Sequence, residues 1–274
     1  MGRAAVAILV AVSVAVSAGH AQRRYFGEGR YPPQFAPASG VPTSGLAICR
    51  LMYTSVRYEA MGMGWRTDYP GAETNLMIRA SELTKTRVGF SGSRQPNTFV
   101  VRPIDDAMFS CPFLVASDVG TLGFNAGEAE RLREYFLKGG FLWVDDFWGT
   151  AAWAQWSREI GKVFPPAEFP IVAVEPGDPL YTAVFDVEKA PQVTNIQFWR
   201  QVRGQTTSER GADSTQVHLR AIRDAHGRIM VLMSHNTDIA DSWEREGEDP
   251  EFFYQFSPDG YAFGMNVITH VLSH

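Results

Sequence analysis

The sequence lacks several signatures that would assign a function directly. It has no Gly-rich phosphate loop, because GEGRYPP and GMGWRTD do not stand between a strand and a helix and lack the final Lys-Ser/Thr. It has no Gly-x-Ser-x-Gly turn, so a hydrolase of the Ser-His-Asp type has no evident nucleophile. Its 25 basic and 30 acidic residues are interspersed, with a formal net charge of −5. The absence of a basic stripe argues against a nucleic acid partner.

Apolar runs are scarce beyond the N-terminus. Arg3 precedes an uncharged run from Ala4 to Ala18, which is shorter than the roughly 20 residues of a membrane-spanning helix. The small residues Gly19 and Ala21 occupy the two positions before the cleavage site that a signal peptidase recognises. We predict a signal peptide over residues 1–21 and an exported protein, periplasmic or extracellular, with no transmembrane segment after cleavage. The alternative is an uncleaved N-terminal anchor.

The residues after the predicted cleavage site divide into two parts. Residues 22–43 are dense in Pro, Gly and aromatics and show no helical or strand period, which predicts an extended arm. The arm either lies over the domain surface or acts as a flexible tether. Residues 44–274 contain no repeat and no linker, and the chain is 45% hydrophobic, which favours a single domain with a buried core.

The sequence has only two cysteines, Cys49 and Cys111, each at or just before a predicted strand. An oxidising compartment would permit a disulfide between them. If the two strands are parallel neighbours, the Cα atoms can come within the roughly 4.4–6.8 Å that a disulfide requires. The alternative is two separately buried thiols that act as small hydrophobic side chains.

Strands and helices alternate along the domain. This order predicts an α/β fold whose mostly parallel sheet carries helices on both faces. Asn125 and Glu128 form a capping signature for the clearest helix, and Gly227 marks a hairpin that would add an antiparallel edge. The predicted strands are residues 45–54, TFVVRP, 112–117, 141–146, FPIVAVEP, VHLRAIR and RIMVLMSH; the predicted helices are 72–85, 126–138, 150–161 and the C-terminal DGYAFGMNVITHVLSH.

Ligands of open parallel sheets bind outside the carboxyl ends of the strands. We therefore expect a binding site among residues that follow predicted strands. The candidates are Trp65, Asp68, Tyr69, Glu73 and Asn75 after the first strand, Ser117 and Asp118, then Asp145, Asp146 and Trp148, and finally His235, Asn236, Asp238 and Asp241.

Asp145 and Asp146 are the sharpest of these features, because adjacent carboxylates at the end of a buried strand need compensation. One explanation is that one Asp caps the following helix while the other points to solvent. The other is a ligand or metal site. The segment SHNTDIADSWERE also contains residue types that bind cations, including Glu244. The same segment is equally typical of a polar loop followed by a first helical turn.

Large aromatic residues also fall near the predicted carboxyl edge. Their faces suit carbohydrate or peptide binding, and they equally suit packing in the core. They are Trp65, Tyr69, Trp148, Trp153, Trp156 and Trp243.

Five blocks in order carry a family resemblance: WRTDYPGAETNL, FSCPFLVAS, GGFLWVDDFWG, NTDIADSWE and GMNVITHVL. From about Gly45 to the C-terminus the chain resembles the bacterial domain-of-unknown-function family 4159. The resemblance implies a fold similar to class I glutamine amidotransferases. Those enzymes carry a nucleophilic Cys on a turn after a strand, and the matching segment here is VDDFWG, where Asp145 or Asp146 stands instead. Thiol-based glutamine hydrolysis is therefore not expected.

These observations leave three functional hypotheses. The first is a noncatalytic envelope domain that binds a small molecule, a glycan or an envelope protein, with no cofactor predicted. The second is a hydrolase in which Asp145, Asp146 and His235 hold a metal or act as acid and base. The third is a scaffold that docks through the aromatic arm between Tyr25 and Phe35.

Overall fold

A computed structural model describes residues 32–42, 44–91 and 95–273, so the predicted signal peptide and most of the predicted arm lie outside the described residues. Within these ranges, nine strands and six α-helices alternate. The strands are β1 (Ile48–Leu51), β2 (Thr54–Ser55), β3 (Thr98–Val101), β4 (Phe113–Ser117), β5 (Leu122–Gly123), β6 (Phe141–Phe147), β7 (Val172–Ala173), β8 (His218–Arg223) and β9 (Ile229–His235). The helices are α1 (Gly71–Leu83), α2 (Ala126–Leu137), α3 (Gly149–Val163), α4 (Ile196–Gln201), α5 (Asp241–Glu244) and α6 (Pro250–Ser273).

Seven of the described strands form one sheet in the order β3-β1-β4-β6-β9-β8-β7. The first five are parallel, and β8 and β7 add an antiparallel edge. The parallel part has the strand order of flavodoxin-like doubly wound sheets. The predicted α/β class, the mostly parallel sheet and the antiparallel hairpin at one edge are therefore confirmed.

Helices cover both faces of the sheet, which explains the nearly continuous apolar sequences of its central strands. Helices α2 and α3 bury Leu132, Phe136 and Trp156 in the core of one face. Helices α1 and α6 bury Leu76 and Phe263 in the core of the other. The carboxyl ends of β4, β6 and β9 thus reach the same edge between two packed layers.

The helix boundaries follow local sequence signals where such signals exist. Helix α2 begins at the predicted residue, and Asn125 and Glu128 form the predicted capping box. Helix α6 begins at Pro250, earlier than predicted, and continues through Pro258. Its first turns bury Phe252 in a separate apolar cluster with α4, a tertiary contact that overrides the helix-breaking tendency of proline.

Two of the predicted strands are shorter than expected. The predicted strand over residues 45–54 divides into β1 and β2, and β2 pairs with β5 in a separate antiparallel ribbon. The FPIVAVEP strand is reduced to β7, whose two residues are exposed at the sheet edge. Edge strands are commonly short in folded proteins because unpaired edges invite aggregation.

Cys49 and Cys111 form a disulfide, with a Cα–Cα distance of 6.3 Å. Cys49 lies in β1, Cys111 lies just before β4, and these two strands are parallel neighbours. Both cysteines are fully buried. The first of the two alternatives left open by the sequence is the one observed.

The described part of the arm lies against the domain surface. Phe35 pairs with Val100 of β3 in a parallel bridge, and the Ala36 amide donates to the Val100 carbonyl at 3.0 Å. Val41 is buried in the core. Among the described residues, no helix combines the length and apolar character needed to cross a membrane.

Candidate functional site

Three strand ends are joined by backbone hydrogen bonds at the carboxyl edge of the sheet. The Asp118 amide, after β4, donates to the Asp146 carbonyl at 3.0 Å. The Asp146 amide donates to the Thr237 carbonyl, after β9, at 3.1 Å. The pairing of β6 with β9 is irregular between Val144 and Phe147. The Asp146 backbone therefore links the segment that follows β4 to the segment that follows β9.

Left-handed backbone conformations are concentrated at this edge. Asp68, Asp118, Asp146 and Asn236 have φ values of 64°, 53°, 52° and 64°. Asp and Asn adopt this region more readily than other non-glycine residues, yet it still disfavours them. Residues in sparsely populated backbone regions cluster at functional sites, so this concentration supports a site at the edge.

Asp68, Asp146 and Asp238 form a carboxylate triad. Each offers one oxygen, and the three oxygens lie within 4.8 Å of one another. Asp238 has no solvent exposure, and its Oδ1 accepts from the Asp241 amide at 3.0 Å. Its Oδ2 has no hydrogen-bond partner among the described residues. A buried carboxylate oxygen without a partner is costly in its charged form, so this oxygen needs either a proton or a ligand.

The triad residue Asp68 is held by a buried polar chain. Ser117 Oγ donates to Asp68 Oδ2 at 2.7 Å and accepts from Arg50 Nη1 at 2.9 Å. Arg50 is 1% exposed and pairs with Glu73 at 2.5 Å. This series of buried polar contacts therefore orients the Asp68 carboxylate.

A second carboxylate group shares Asp68. Asp68, Asp241 and Glu244 also offer oxygens within 4.8 Å of one another. Arg245 already lies between the other two, at 3.4 Å from Asp241 and 3.1 Å from Glu244. The Asp241 carboxylate also accepts from the Ile196 amide at 2.8 Å. Arg245 thus offsets part of the negative charge of this second group.

The pKa values of the triad reflect its burial. Burial and the neighbouring Asp241 raise the pKa of Asp68 to about 7. Burial and the charge of Asp68 raise the pKa of Asp146 well above its usual range, and burial with Asp146 and Asp241 does the same for Asp238. The charged form of each is disfavoured because like charges share a poorly hydrated space. A bound cation would remove this cost.

Asp146 also faces a cleft that opens beside the triad. Asp118 lines the same cleft, and its Oδ2 accepts from the Gly64 amide at 2.8 Å. Burial raises the pKa of Asp118 to about 7. Trp148 covers Asp146 and donates from Nε1 to its Oδ1 at 2.9 Å. The cleft is lined by Glu59, Ala60, Met61, Gly62, Asp118, Asp146, Trp148, Asn195, Glu209 and Arg210.

Asp145 is not a member of the triad and lines a different cavity, with Arg50, Glu73 and Trp143. Its Oδ2 accepts from the Ala240 amide at 2.9 Å, and its Oδ1 has no partner among the described residues. Burial raises its pKa to about 8. The β6–β9 pairing is irregular here and the Asp146 backbone is left-handed, so Asp145 and Asp146 enter different environments.

The explanation that one of this Asp pair caps the next helix is wrong. The amide of Gly149, the first residue of α3, donates to Asn236 Oδ1 at 2.8 Å. The Thr150 amide donates to Asp213 Oδ2 at 2.8 Å. Residues distant in sequence therefore satisfy the first turn of α3, and neither Asp145 nor Asp146 is needed there.

The side chain of His235 packs among aromatic rings and not against Asp145 or Asp146. Its imidazole packs on Phe147 and Trp153, with ring centroids 5.0 and 5.3 Å apart, and its Nε2 lies 3.0 Å from the Gly149 carbonyl. The structure therefore does not gather His235, Asp145 and Asp146 in one pocket, and a catalytic group built on those three has no geometric basis.

Most of the aromatic residues that were expected near the carboxyl edge pack against other side chains of the protein. Trp65 and Tyr69 contact each other at 5.9 Å, and the Tyr69 hydroxyl accepts from the Gln34 amide of the arm at 3.3 Å. Trp156 and Trp243 are buried in the two cores. Among these aromatic residues, Trp148 is the one that contacts Asp146 within the described structure.

Sequence reasoning missed two acidic residues of the cleft, Glu59 and Glu209. The Glu209 side chain is 3% exposed, and it accepts from the Asn195 amide at 2.7 Å. Burial raises its pKa. Both residues lie in irregular segments between secondary structure elements, so no periodicity or strand end marked them.

Together, the fold and the edge define a doubly wound α/β protein with a carboxylate-lined site outside the ends of its parallel strands. The family model described as Domain of unknown function (DUF4159) matches residues 50–272, and the chain belongs to this family. The resemblance read from the five sequence blocks is thereby confirmed; the likeness to class I glutamine amidotransferases stays a prediction. A search of curated proteins gives no match to this chain.

Proposed function

We propose that this protein binds one hard divalent cation through Asp68, Asp146 and Asp238, and that the cation recruits an oxygen-bearing ligand to the adjacent cleft. The observation that carries the proposal is the triad with its fully buried, unpartnered Asp238 oxygen. An all-oxygen set suits Mg²⁺, Ca²⁺ or Mn²⁺, whereas Zn²⁺ favours His and Cys ligands.

Charge distribution supports one cation rather than two. The second carboxylate group already contains Arg245, which contacts Asp241 and Glu244. The triad contains no basic side chain among the described residues; Arg50 acts on Asp68 through Ser117. A dication at the triad would offset the mutual repulsion of three carboxylates, which a monovalent basic side chain cannot fully do.

Cation titration of the folded, chelator-treated protein tests this proposal. We expect saturable binding of one Mg²⁺, Ca²⁺ or Mn²⁺ by calorimetry, with a rise in Tm that follows the binding curve. Asp238→Asn and Asp146→Asn should abolish it. Asp259→Asn is the matched control, because Asp259 is exposed on α6. Equal cation binding by Asp238→Asn and Asp259→Asn would refute the site.

The ligand of an exported cation site would be a small molecule, a glycan or an envelope protein. The buried disulfide supports an oxidising compartment. Expression of the full chain in a bacterium, followed by fractionation and N-terminal sequencing, tests export. We expect a mature protein in the periplasm or medium that begins at Gln22. Recovery from the cytoplasm with Met1 intact would contradict export.

A second candidate is cation-assisted hydrolysis, and the position of Asp118 favours it. Asp118 shares the cleft with Asp146, and its pKa of about 7 suits an acid or base near neutral pH. A bound cation would supply Lewis-acid activation of an oxygen. A panel of esters, amides, glycosides and phosphoesters tests this reading. The hydrolase proposal is supported if Asp118→Asn abolishes turnover while cation binding persists. If no compound of the panel is turned over, the hydrolase proposal is refuted and the site only binds a ligand.

A further inference from the structure

Arg220 lies in a preorganised setting on β8, outside the carboxylate site. Its guanidinium carbon lies 4.1 Å from the centroid of the Trp153 ring. Its Nη1 lies 3.3 Å from His235 Nδ1. One face of the guanidinium is thus covered by an indole and one N–H is engaged by an imidazole. The side chain is half-buried, so the other N–H groups retain access to solvent.

The tautomer of His235 follows from its contacts. The Gly149 carbonyl accepts hydrogen bonds only, so His235 Nε2, 3.0 Å away, carries the proton. Nδ1 is then an acceptor and receives the Arg220 N–H. Burial, with the charges of Arg220 and His218, lowers the pKa of His235 to about 4, and the ring is neutral at neutral pH. His235 orients Arg220 without neutralising it.

Arg220 differs from the other partly buried arginines in its charge partners. Each of the following pairs with a carboxylate within 4 Å: Arg57, Arg79, Arg131, Arg133, Arg210, Arg223, Arg228 and Arg245. Within residues 32–42, 44–91 and 95–273, no carboxylate pairs with Arg220. The charge of Asp213 acts on the neighbouring His235, but Asp213 Oδ2 already accepts from the Thr150 amide. The positive charge is therefore uncompensated.

His218 completes this group. Its ring stacks on His235 with centroids 5.7 Å apart, because the two residues are cross-strand partners in β8 and β9. It is only partly buried and lies two residues before Arg220 in β8, so the two side chains leave the same face of the sheet. A planar guanidinium held by stacking on one side presents its remaining donors in the fork that matches the oxygens of carboxylate or phosphate.

We propose that Arg220 and His218 form a binding site for an oxyanion, a phosphate or a carboxylate group of a ligand. The site stands apart from the carboxylate triad and does not depend on a bound cation. Trp153 and His235 act as positioning residues that hold the guanidinium.

Calorimetric titration of the chelator-treated protein with inorganic phosphate tests the site. We expect binding of one phosphate, weakened at least about tenfold in Arg220→Gln and less in Arg220→Lys, which keeps the charge but loses the planar fork. Arg158→Gln is the control of equal net charge, because the Arg158 side chain is 62% exposed on α3. Equal affinity in Arg220→Gln and Arg158→Gln would overturn the proposal.

A spectroscopic measurement keeps the test independent of folding in the variant. The Nε–Hε signal of Arg220, assigned by its loss in Arg220→Lys, should shift with added phosphate in the wild-type protein. Sodium acetate at the same ionic strength forms the second arm: stronger binding of phosphate assigns a phosphoryl ligand, and stronger binding of acetate assigns a carboxylate ligand. An unmoved signal with both anions would exclude the site.

Discussion

Ser117 joins Asp68 to the interior of the protein. Its hydroxyl donates to Asp68 Oδ2 at 2.7 Å while it accepts from Arg50, and Arg50 in turn pairs with Glu73. A residue at the end of β4 thus orients a carboxylate that lies between β2 and α1. Supporting residues of this kind fix the orientation of metal ligands.

Ser117→Ala should therefore weaken cation binding without removing any ligand. The substitution leaves Asp68 free to rotate and deprives an Arg50 N–H of its acceptor. We expect an affinity loss of about 10- to 100-fold and a stability loss of about 1–3 kcal/mol. Calorimetry and urea denaturation measure the two effects.

The matched control for this change is Ser81→Ala, because Ser81 is exposed on α1 and its hydroxyl donates to the Ile78 carbonyl of its own helix. It should leave both quantities unchanged. Retention of full cation affinity in Ser117→Ala would show that Asp68 is not oriented by this chain.

The cation-free protein should lose stability as pH rises. Burial raises the folded-state pKa of Asp68 and Asp118 to about 7 and that of Asp145 to about 8. In the unfolded chain the same carboxyl groups have a pKa of about 4. Between these values the folded state holds more protons, so the free energy of unfolding falls as pH increases. In chelator, Tm should decline from about pH 5 to about pH 8.

A divalent cation should reverse this trend, because it binds the deprotonated carboxylates. The rise in Tm on adding Mg²⁺, Ca²⁺ or Mn²⁺ should be larger at pH 8 than at pH 5. Asp238→Asn removes one charge from the triad and should raise the Tm of the cation-free protein at pH 8 while abolishing the cation effect. A Tm that rises with pH in chelator would contradict this electrostatic description.

The disulfide should contribute a large part of the stability. Cys49 and Cys111 are 62 residues apart, and a cross-link over such a loop contributes about 4 kcal/mol in the chain-entropy description. The double variant Cys49→Ala/Cys111→Ala should lose roughly this amount in urea denaturation. Because both cysteines are buried, the folded wild-type protein should resist alkylation under reducing conditions until it unfolds. Equal stability of the wild-type and double-variant proteins would contradict the estimate.

Much of the fold is readable from local sequence. Helix α2 follows from a capping box within four residues, and the β8–β9 hairpin follows from the turn at Gly227. The early start of α6 was not predictable in this way. Phe252 packs against α4, and that contact depends on tertiary structure rather than on any local signal.

The candidate site could also be predicted only in part from the sequence. Residues after parallel strands meet at one edge, so Asp68, Asp118, Asp146 and Asp238 could be named in advance. Their grouping could not. The sequence favours a site that contains both Asp145 and Asp146, but the left-handed backbone of Asp146, in an irregular part of the β6–β9 pairing, directs the two side chains into different environments. Glu209 reaches the cleft from a loop whose path no pattern reveals.

Gly62→Ala provides a probe of the cleft that leaves the triad intact. A Cβ at Gly62 would lie 2.3 Å from Asp118 Oδ2, so the substitution must displace the Asp118 carboxylate or the segment around Gly62. We expect a stability loss of about 1–3 kcal/mol from this overlap. Cation affinity should persist, because Asp118 is not a triad member, whereas binding or turnover of a cleft ligand should fall. Gly127→Ala on α2 is the control, since its Cβ would meet only an ordinary contact at 3.5 Å. Loss of cation affinity in Gly62→Ala would instead place Asp118 among the ligands and require a larger cation site.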